Sequence, residues 1–384
     1  MIAPPFTAEH DLFRKTLRDY VVRELAPHAL EWDEAGIFPR EVFRDLAQLG
    51  ALGVNYPEEV GGSGGDFWHA VVLAEELVHS RNSGVNMAVL VQSQIATPII
   101  QEIGTAEQKK EFLAPALAGE KIAALGISEP DAGSDVAHLR TTARRSGDDY
   151  VVNGAKTWIT NARHADPLPV LVKTDPAAKP PHRGMSILMI EAGTPGLTVG
   201  KDLDKLGYKG TESAEVFLVD CRVPAQNLLG GVEGRGLQQA LSALEFGRVN
   251  IAGRAVGVAQ ASLDRALAYA KERHAFGRPI GDFQAIQLKL ADMATEVQAA
   301  RLLTWWAAAA LDSGRRADLE TGMAKLFASE ICIRASLEAM RIHGGYGYST
   351  EYEVERFYRD APLMAIGEGT NEILRTLIAR QLMR

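Results

Sequence analysis

Apolar residues in the first third of the chain recur at intervals of three and four, the spacing that lays one helical face against a core. Leu12, Leu17, Val21, Val22 and Leu25 form one such stripe, and Val42, Leu46 and Leu49 form a second within PREVFRDLAQL. The Gly-rich stretch VGGSGGD (Val60 to Asp66) then breaks the pattern before FWHAVVLAEELVHS resumes it, which predicts a loop between helices. Thr105, ahead of AEQKKEFL with an acid in its first turn, reads as a helix N-cap.

Between about Lys121 and Val232 the period falls to two. YVVNGAK places Asn153-Gly154 between extended runs and predicts a hairpin turn there. MSILMIEA, LTVGKDL and SAEVFLVDCRVP are further strands, each bounded by Gly, Pro or Asp. After Gly236 long helical stripes return, with Ile286, Leu290, Met293, Val297 and Ala300 in one and Leu263, Leu267 and Ala270 in another. Abundant alanine permits close helix packing and predicts a bundle. Trp305-Trp306 reads as core or subunit interface. The chain is therefore multidomain α+β: a helical domain over 1–120, a β domain over 121–232 and a helical bundle over 233–384.

Composition narrows the functional classes. The 384 residues are 46% apolar and 23% charged, values of an ordinary globular protein. A net charge of −8 gives no footprint for nucleic acid but leaves room for a local basic pocket around one phosphorylated ligand. No apolar run is long enough for a membrane span, and MIAPPFTAEHDLFRKTLRDY lacks the core of a signal peptide. Cys221 and Cys332 are too few for a disulfide framework, so a reducing, cytoplasmic setting is expected. The scattered histidines carry no HExxH or paired spacing, and no metal is expected.

The chemistry centres on Glu368. It lies between Gly367 and Gly369, ahead of Thr370, an N-cap residue for the helix-like NEILRTLIARQLM. Flanking glycines let the backbone approach a flat ligand closely, so the loop can hold a carboxylate against it. Four other stretches stand out. LGISEPDAGSD carries short hydroxyl side chains in a loop suited to a heteroaromatic edge or phosphate. KTWITN puts a Trp at a strand end, where it can wall a planar ring. EFGR opens the long C-terminal helix with Glu245 and Arg248, which an ordinary surface ion pair would also explain. ERHAFGRPIGDFQ sets basic side chains around a turn and a helix start, suited to a pyrophosphate.

In that order these motifs, with HGGYGY, RDA and EGTNE, resemble the acyl-CoA dehydrogenase family over nearly the whole chain from about Phe6. The resemblance implies an N-terminal helical domain, a central β-barrel-like domain and a C-terminal four-helix bundle, assembled as a homotetramer with one FAD per subunit. It implies oxidation of a saturated acyl-CoA to a trans-2-enoyl-CoA, as in fatty-acid β-oxidation, with electrons passed to an electron-transferring flavoprotein. Glu368 then resembles the base that removes the α-proton. Ser128, Ser134, Trp158, Ile159 and Thr160 resemble residues around the flavin ring, and Ser134 also a CoA contact. Thr370 and Glu372 match cofactor contacts behind the base, and Gly369 lies beside the thioester. Arg273, Phe276, Gln284, Arg341 and Gly345 resemble positions that hold the adenine dinucleotide half, partly across a subunit interface. Glu245 and Arg248 match the segment that lines the CoA pocket.

The physical requirement on Glu368 agrees with this. A carboxylate at its ordinary pKa is too weak a base for a carbon acid, so burial must raise it, and the Ile366-Gly367 setting is expected to supply that burial. Three positions depart from the family pattern: Gly367 replaces a frequent aromatic residue, Arg341 replaces a frequent Gln, and Gly247 stands where some branches place their base. No arginine is evidently assigned to the acyl pocket, so a plain saturated or branched acyl group is expected. Oxidase chemistry on the same scaffold and a non-catalytic flavin-binding relative are the competing readings.

Overall fold

The computed structural model describes residues 6–383. Its N-terminal part is helical: α1 (Ala8–Tyr20), α2 (Ala29–Ala35), α3 (Glu41–Gln48), α4 (Phe67–Glu76), α5 (Ser83–Val91), α6 (Thr97–Ile103), α7 (Ala106–Gln108) and α8 (Ala114–Leu117). Leu17, Val21, Leu25, Val42 and Leu46 enter the core as their spacing predicts. Leu12 and Val22 do not, being 66% and 51% exposed. Each is five residues from Leu17, about 140° around an α-helix, and so off the buried face.

Two polar contacts fasten α1 to α4. Asp66 caps α4 by accepting from the His69 backbone N–H at 3.0 Å, and His10 Nε2 lies 2.9 Å from the same carboxylate. Arg14 and Arg18 donate to the fully buried Glu76 at 2.8 and 2.6 Å, so its charge is compensated. Thr105 caps α7 in a capping box with Gln108.

The middle of the chain is a six-stranded mixed sheet of order β4-β3-β1-β2-β6-β5. Its strands are β1 (Thr142–Ser146), β2 (Asp149–Thr160), β3 (Leu168–Lys173), β4 (Met185–Ile190), β5 (Leu197–Asp202) and β6 (Ser213–Pro224). Asn153-Gly154 makes no hairpin, contrary to the sequence expectation. β2 runs straight through it, and the turn lies at Gly147-Asp148, where Gly147 has φ 65°. Asn153 instead sits at a register shift against β6. Its Nδ2 donates to Asp220 Oδ1 at 3.1 Å, and Asp220 N donates back to Asn153 Oδ1 at 2.9 Å. Gly154 is needed for proximity, since a Cβ there would lie 2.3 Å from Thr141 Oγ1.

β3 pairs with β1 on one side and β4 on the other, and Leu168 to Val172 are all buried. A strand covered on both faces shows a continuous apolar run instead of alternation, which is why the period-two pattern passes over it.

The C-terminal part comprises α9 (Gly236–Glu272), the small hairpin β7 (His274–Ala275) and β8 (Arg278–Pro279), α10 (Gln284–Asp312), α11 (Asp318–His343), α12 (Val354–Ile366) and α13 (Asn371–Leu382). Met293, Val297 and Ala300 are buried as predicted, but Leu267 is 40% exposed. Val71 of α4 and Val78, in the turn that follows it, belong to the bundle core, and a Cβ on Gly257 of α9 would come within 2.8 Å of Val78. Small residues on α9 thus bring the N-terminal helices directly against the bundle. Among the described residues no helix is long and apolar enough to cross a membrane.

Candidate active site

Glu368 occupies the short link between α12 and α13. It has φ 55° and is followed by Gly369 at φ 89°, so two consecutive residues are left-handed. A non-glycine residue in that region is strained unless its surroundings hold it. The restraint comes from both sides. Thr370 caps α13, its Oγ1 accepting from Ile373 N at 3.3 Å. From α11 the fully buried Lys325 donates to Gly369 O at 2.8 Å and Asn371 Oδ1 at 3.1 Å. Asn371 in turn donates to Ser329 Oγ at 3.1 Å and Glu330 Oε1 at 3.0 Å.

The carboxylate points at α9. A Cβ added to Gly247 would lie 2.7 Å from Glu368 Oε2, so the missing side chain is the space that this oxygen fills. Oε2 is shut off from solvent and has no hydrogen-bond partner. Burial raises the Glu368 carboxyl above its ordinary range, while the charges of Arg248, Lys325 and Arg254 pull the other way. A carboxylate so placed is a stronger base than one in water. Burial likewise brings the Lys325 ammonium down to about 8, with Glu368 opposing that fall.

Ile366 does not supply this burial as expected, because its side chain is 60% exposed. The desolvating surface is instead α9 at Gly247 and α11 at Lys325. Glu245 and Arg248 also differ from expectation. They lie well inside α9, which begins at Gly236, and both are buried. They do not pair with each other: Glu245 Oε2 accepts from Ala317 N at 3.0 Å, and Arg248 Nη1 donates to Asp318 Oδ1 at 3.2 Å. Both therefore clamp the start of α11, and Arg248 keeps its charge within reach of Glu368.

A second group of residues lies at the end of β2. Thr157 N donates to Ser128 O at 3.0 Å, which joins the SEPDAGSD loop to the WITN strand end. Beneath them the fully buried Lys156 donates to Glu129 Oε1 at 2.7 Å and Ile127 O at 3.1 Å. Glu129 also accepts from the N–H groups of Arg140 and Thr141, and its carboxyl is held below its ordinary range although burial opposes this. Ile159 and Thr160 are buried, with Thr160 Oγ1 3.2 Å from Ser213 Oγ, whereas Trp158 is 61% exposed at φ 62°. A large apolar ring held outward on a strained backbone is a surface for a planar partner. Ser134 is exposed.

A third group surrounds a cavity of about 590 Å³ lined by Tyr269, Arg273, His343, Gly344, Gly345 and Tyr346. Arg273 and Gly345, singled out on separate motifs, thus meet at one wall. Phe276 and Gly277 form the β7–β8 turn with φ 51° and 83°, and the Phe276 ring is 96% exposed. Gln284, the first residue of α10, is exposed, as are Arg341, which pairs with Glu338, and Glu372, 3.6 Å from Arg375. The residues that sequence patterns did not single out are Lys325, Asn371 and Arg254. Each lies in a helix interior or cap position whose spacing looks like ordinary packing.

Comparison with known proteins places these groups in one family. The N-terminal, middle and C-terminal domains of acyl-CoA dehydrogenase match residues 7–120, 124–221 and 234–383. A probable acyl-CoA dehydrogenase of Bacillus subtilis, YngJ, is 46% identical over 98% of this chain and 99% of its own. A caffeyl-CoA reductase-Etf complex subunit of Acetobacterium woodii, CarC, is 40% identical over 99% of each. The crystal structure of an acyl-CoA dehydrogenase from Geobacillus kaustophilus superposes with a TM-score of 0.94 at 41% identity, covering 98% of this chain and 99% of that one. The fold and these three domains define an oxidoreductase of the acyl-CoA dehydrogenase class. The chain belongs to the acyl-CoA dehydrogenase family.

Proposed function

We propose that the protein oxidises an acyl-CoA thioester between its α and β carbons, with Glu368 as the base. The observation that carries this reading is the Glu368 carboxylate: half-buried, with Oε2 shut off from solvent, unpartnered and seated in the space left by Gly247. It takes the α-proton from the thioester. Burial raises its basicity, and the charges of Arg248 and Lys325 favour its ionised form and limit that rise. Gly369 and Thr370 set its backbone, and Glu245 and Arg248 line the CoA side.

The residues present fit FAD. The outward Trp158 offers a face for a flat ring, and the cavity at Arg273 and Gly345 offers a guanidinium and bare backbone to a pyrophosphate or adenosine group. Ser128, Ser134, Ile159 and Thr160 complete the ring side, with Phe276, Gln284, Arg341 and Glu372 on the dinucleotide side. FAD, when bound, accepts the hydride that leaves the β-carbon. The exposed Phe276 supports an oligomer in which a neighbouring subunit covers this turn, the homotetramer among its forms. The relative named as part of an Etf complex supports an electron-transferring flavoprotein as acceptor, and the two unpaired, buried cysteines suit a cytoplasmic setting.

The test is anaerobic titration of the purified protein with straight-chain, branched and ω-carboxylated acyl-CoAs. Bleaching of the flavin by at least one is expected, and bleaching by none defeats the reading. The reductase name of one relative favours a second reading, the reverse reaction, which reoxidation of the chemically reduced protein by an enoyl-CoA would reveal. Arg273→Ala is expected to lose FAD on dilution at least tenfold faster than the unmutated protein, because a charge-assisted contact is removed. Full flavin retention in that variant would take Arg273 out of the cofactor site.

A further inference from the structure

Arg254 lies on α9 seven residues beyond Gly247, about 10 Å along the helix and within about 20° of the same face. That face meets Glu368 at Gly247 and, at Ile251, comes within 3.9 Å of where a Gly367 Cβ would be. Arg254 is only 2% exposed, yet its charge has no anionic partner. Nη1 meets the Met87 thioether at 2.9 Å, and Nε has no hydrogen-bond partner. The guanidinium lies 5.4 Å from the centre of the Tyr208 ring, whose buried hydroxyl is also unpartnered. Among the described residues no carboxylate oxygen comes within 4.0 Å of it. The other two buried arginines differ: Arg248 has Asp318 at 3.2 Å and Arg356 has Glu353 at 4.0 Å.

A buried guanidinium without an anion is costly, and a weak sulfur acceptor does not offset it. A ligand carboxylate would supply the missing charge, with two directed N–H bonds to a planar fork. We propose that Arg254 receives a carboxylate at the far end of the acyl chain, so that the site takes an ω-carboxyacyl thioester of roughly five or six carbons. The length follows from the helical separation of about 10 Å between the Glu368 contact and Arg254, which the chain and the guanidinium share. The Tyr208 hydroxyl provides a second donor. The inference rests on the acyl-CoA reading of the Glu368 site and assigns the acyl group that this reading leaves open. It departs from the plain saturated or branched acyl group expected from sequence.

The test compares glutaryl-CoA and adipyl-CoA with pentanoyl-CoA and hexanoyl-CoA on the FAD-loaded protein. Flavin reduction is read under anaerobic rapid mixing. Binding is read separately by calorimetry on the Glu368→Gln protein, which does not consume the ligand. At least tenfold tighter binding and tenfold faster reduction are expected for the ω-carboxylated pair. Arg254→Gln is expected to erase that preference, read as the ratio between the two pairs within the variant, so that a change in the basicity of Glu368 common to both pairs cancels. Equal or better use of the plain pair by the unmutated protein overturns the inference even if the variant fails to fold. A preference that survives in Arg254→Gln overturns the role of Arg254. If none of the four bleaches the flavin, the calorimetric ratio alone decides the role of Arg254, and the wider titration above decides the dehydrogenase reading.

Discussion

Replacing Glu368 with glutamine is expected to slow flavin reduction by acyl-CoA on the order of 10² to 10⁴-fold while FAD and acyl-CoA remain bound. The amide keeps the size and shape of the side chain, so the left-handed backbone at Glu368 and the Lys325 bond to Gly369 need not change. Only the basicity goes. Because burial raises the Glu368 carboxyl, the unmutated protein should lose rate as pH falls through that raised value and gain it as pH rises, since the ionised form is the base. This limb should vanish in the variant. Glu245→Gln should change the same rate far less, because Glu245 accepts from Ala317 N at the start of α11 and does not face the Glu368 space. Rapid anaerobic mixing is required, as steady-state turnover can be limited by product release or the acceptor. If Glu368→Gln reduces at nearly the unmutated rate and Glu245→Gln does not, Glu368 is not the base.

Much of this arrangement was legible from local pattern because local rules produced it. Thr105 and Thr370 cap helices where short-range chemistry says they should, and the stretches MSILMIEA, LTVGKDL and SAEVFLVDCRVP, read by period as strands, form β4, β5 and β6 of the sheet. The failures share a different cause. Asn153-Gly154 satisfies every local rule for a hairpin, yet pairing with β6 and the approach of Thr141 turn it into an irregularity inside a strand. Long-range contact overrode turn propensity. The base itself could be picked out by motif, but what tunes it could not. Lys325, Asn371 and Arg254 act across helix–helix contacts with large sequence separation, such as the 44 positions between Lys325 and Gly369. A one-dimensional pattern records that a residue is in a helix and not which distant loop its terminal atom reaches.

Gly247 illustrates that difference and leads to the second large effect. By motif it is a position that cannot supply a base; in three dimensions it is the hollow that the base occupies. Gly247→Ala should therefore impair the reaction without touching any reacting group. The three atoms nearest to an added Cβ all belong to Glu368: Oε2 at 2.7 Å, Cδ at 3.1 Å and Cγ at 3.4 Å. No backbone stands in the way, so the strain is relieved by swinging the carboxylate aside. A displacement of about 1 Å at a reacting group costs on the order of 10²-fold in rate, the loss expected here. Folding should not suffer, because alanine is favoured over glycine inside a helix by about 0.5–1 kcal/mol. The signature is thus a thermal midpoint that holds or rises, with flavin fully bound and its reduction slowed about a hundredfold. A variant that reduces its flavin within a factor of two of the unmutated rate would show that Glu368 does not act from the position α9 leaves for it.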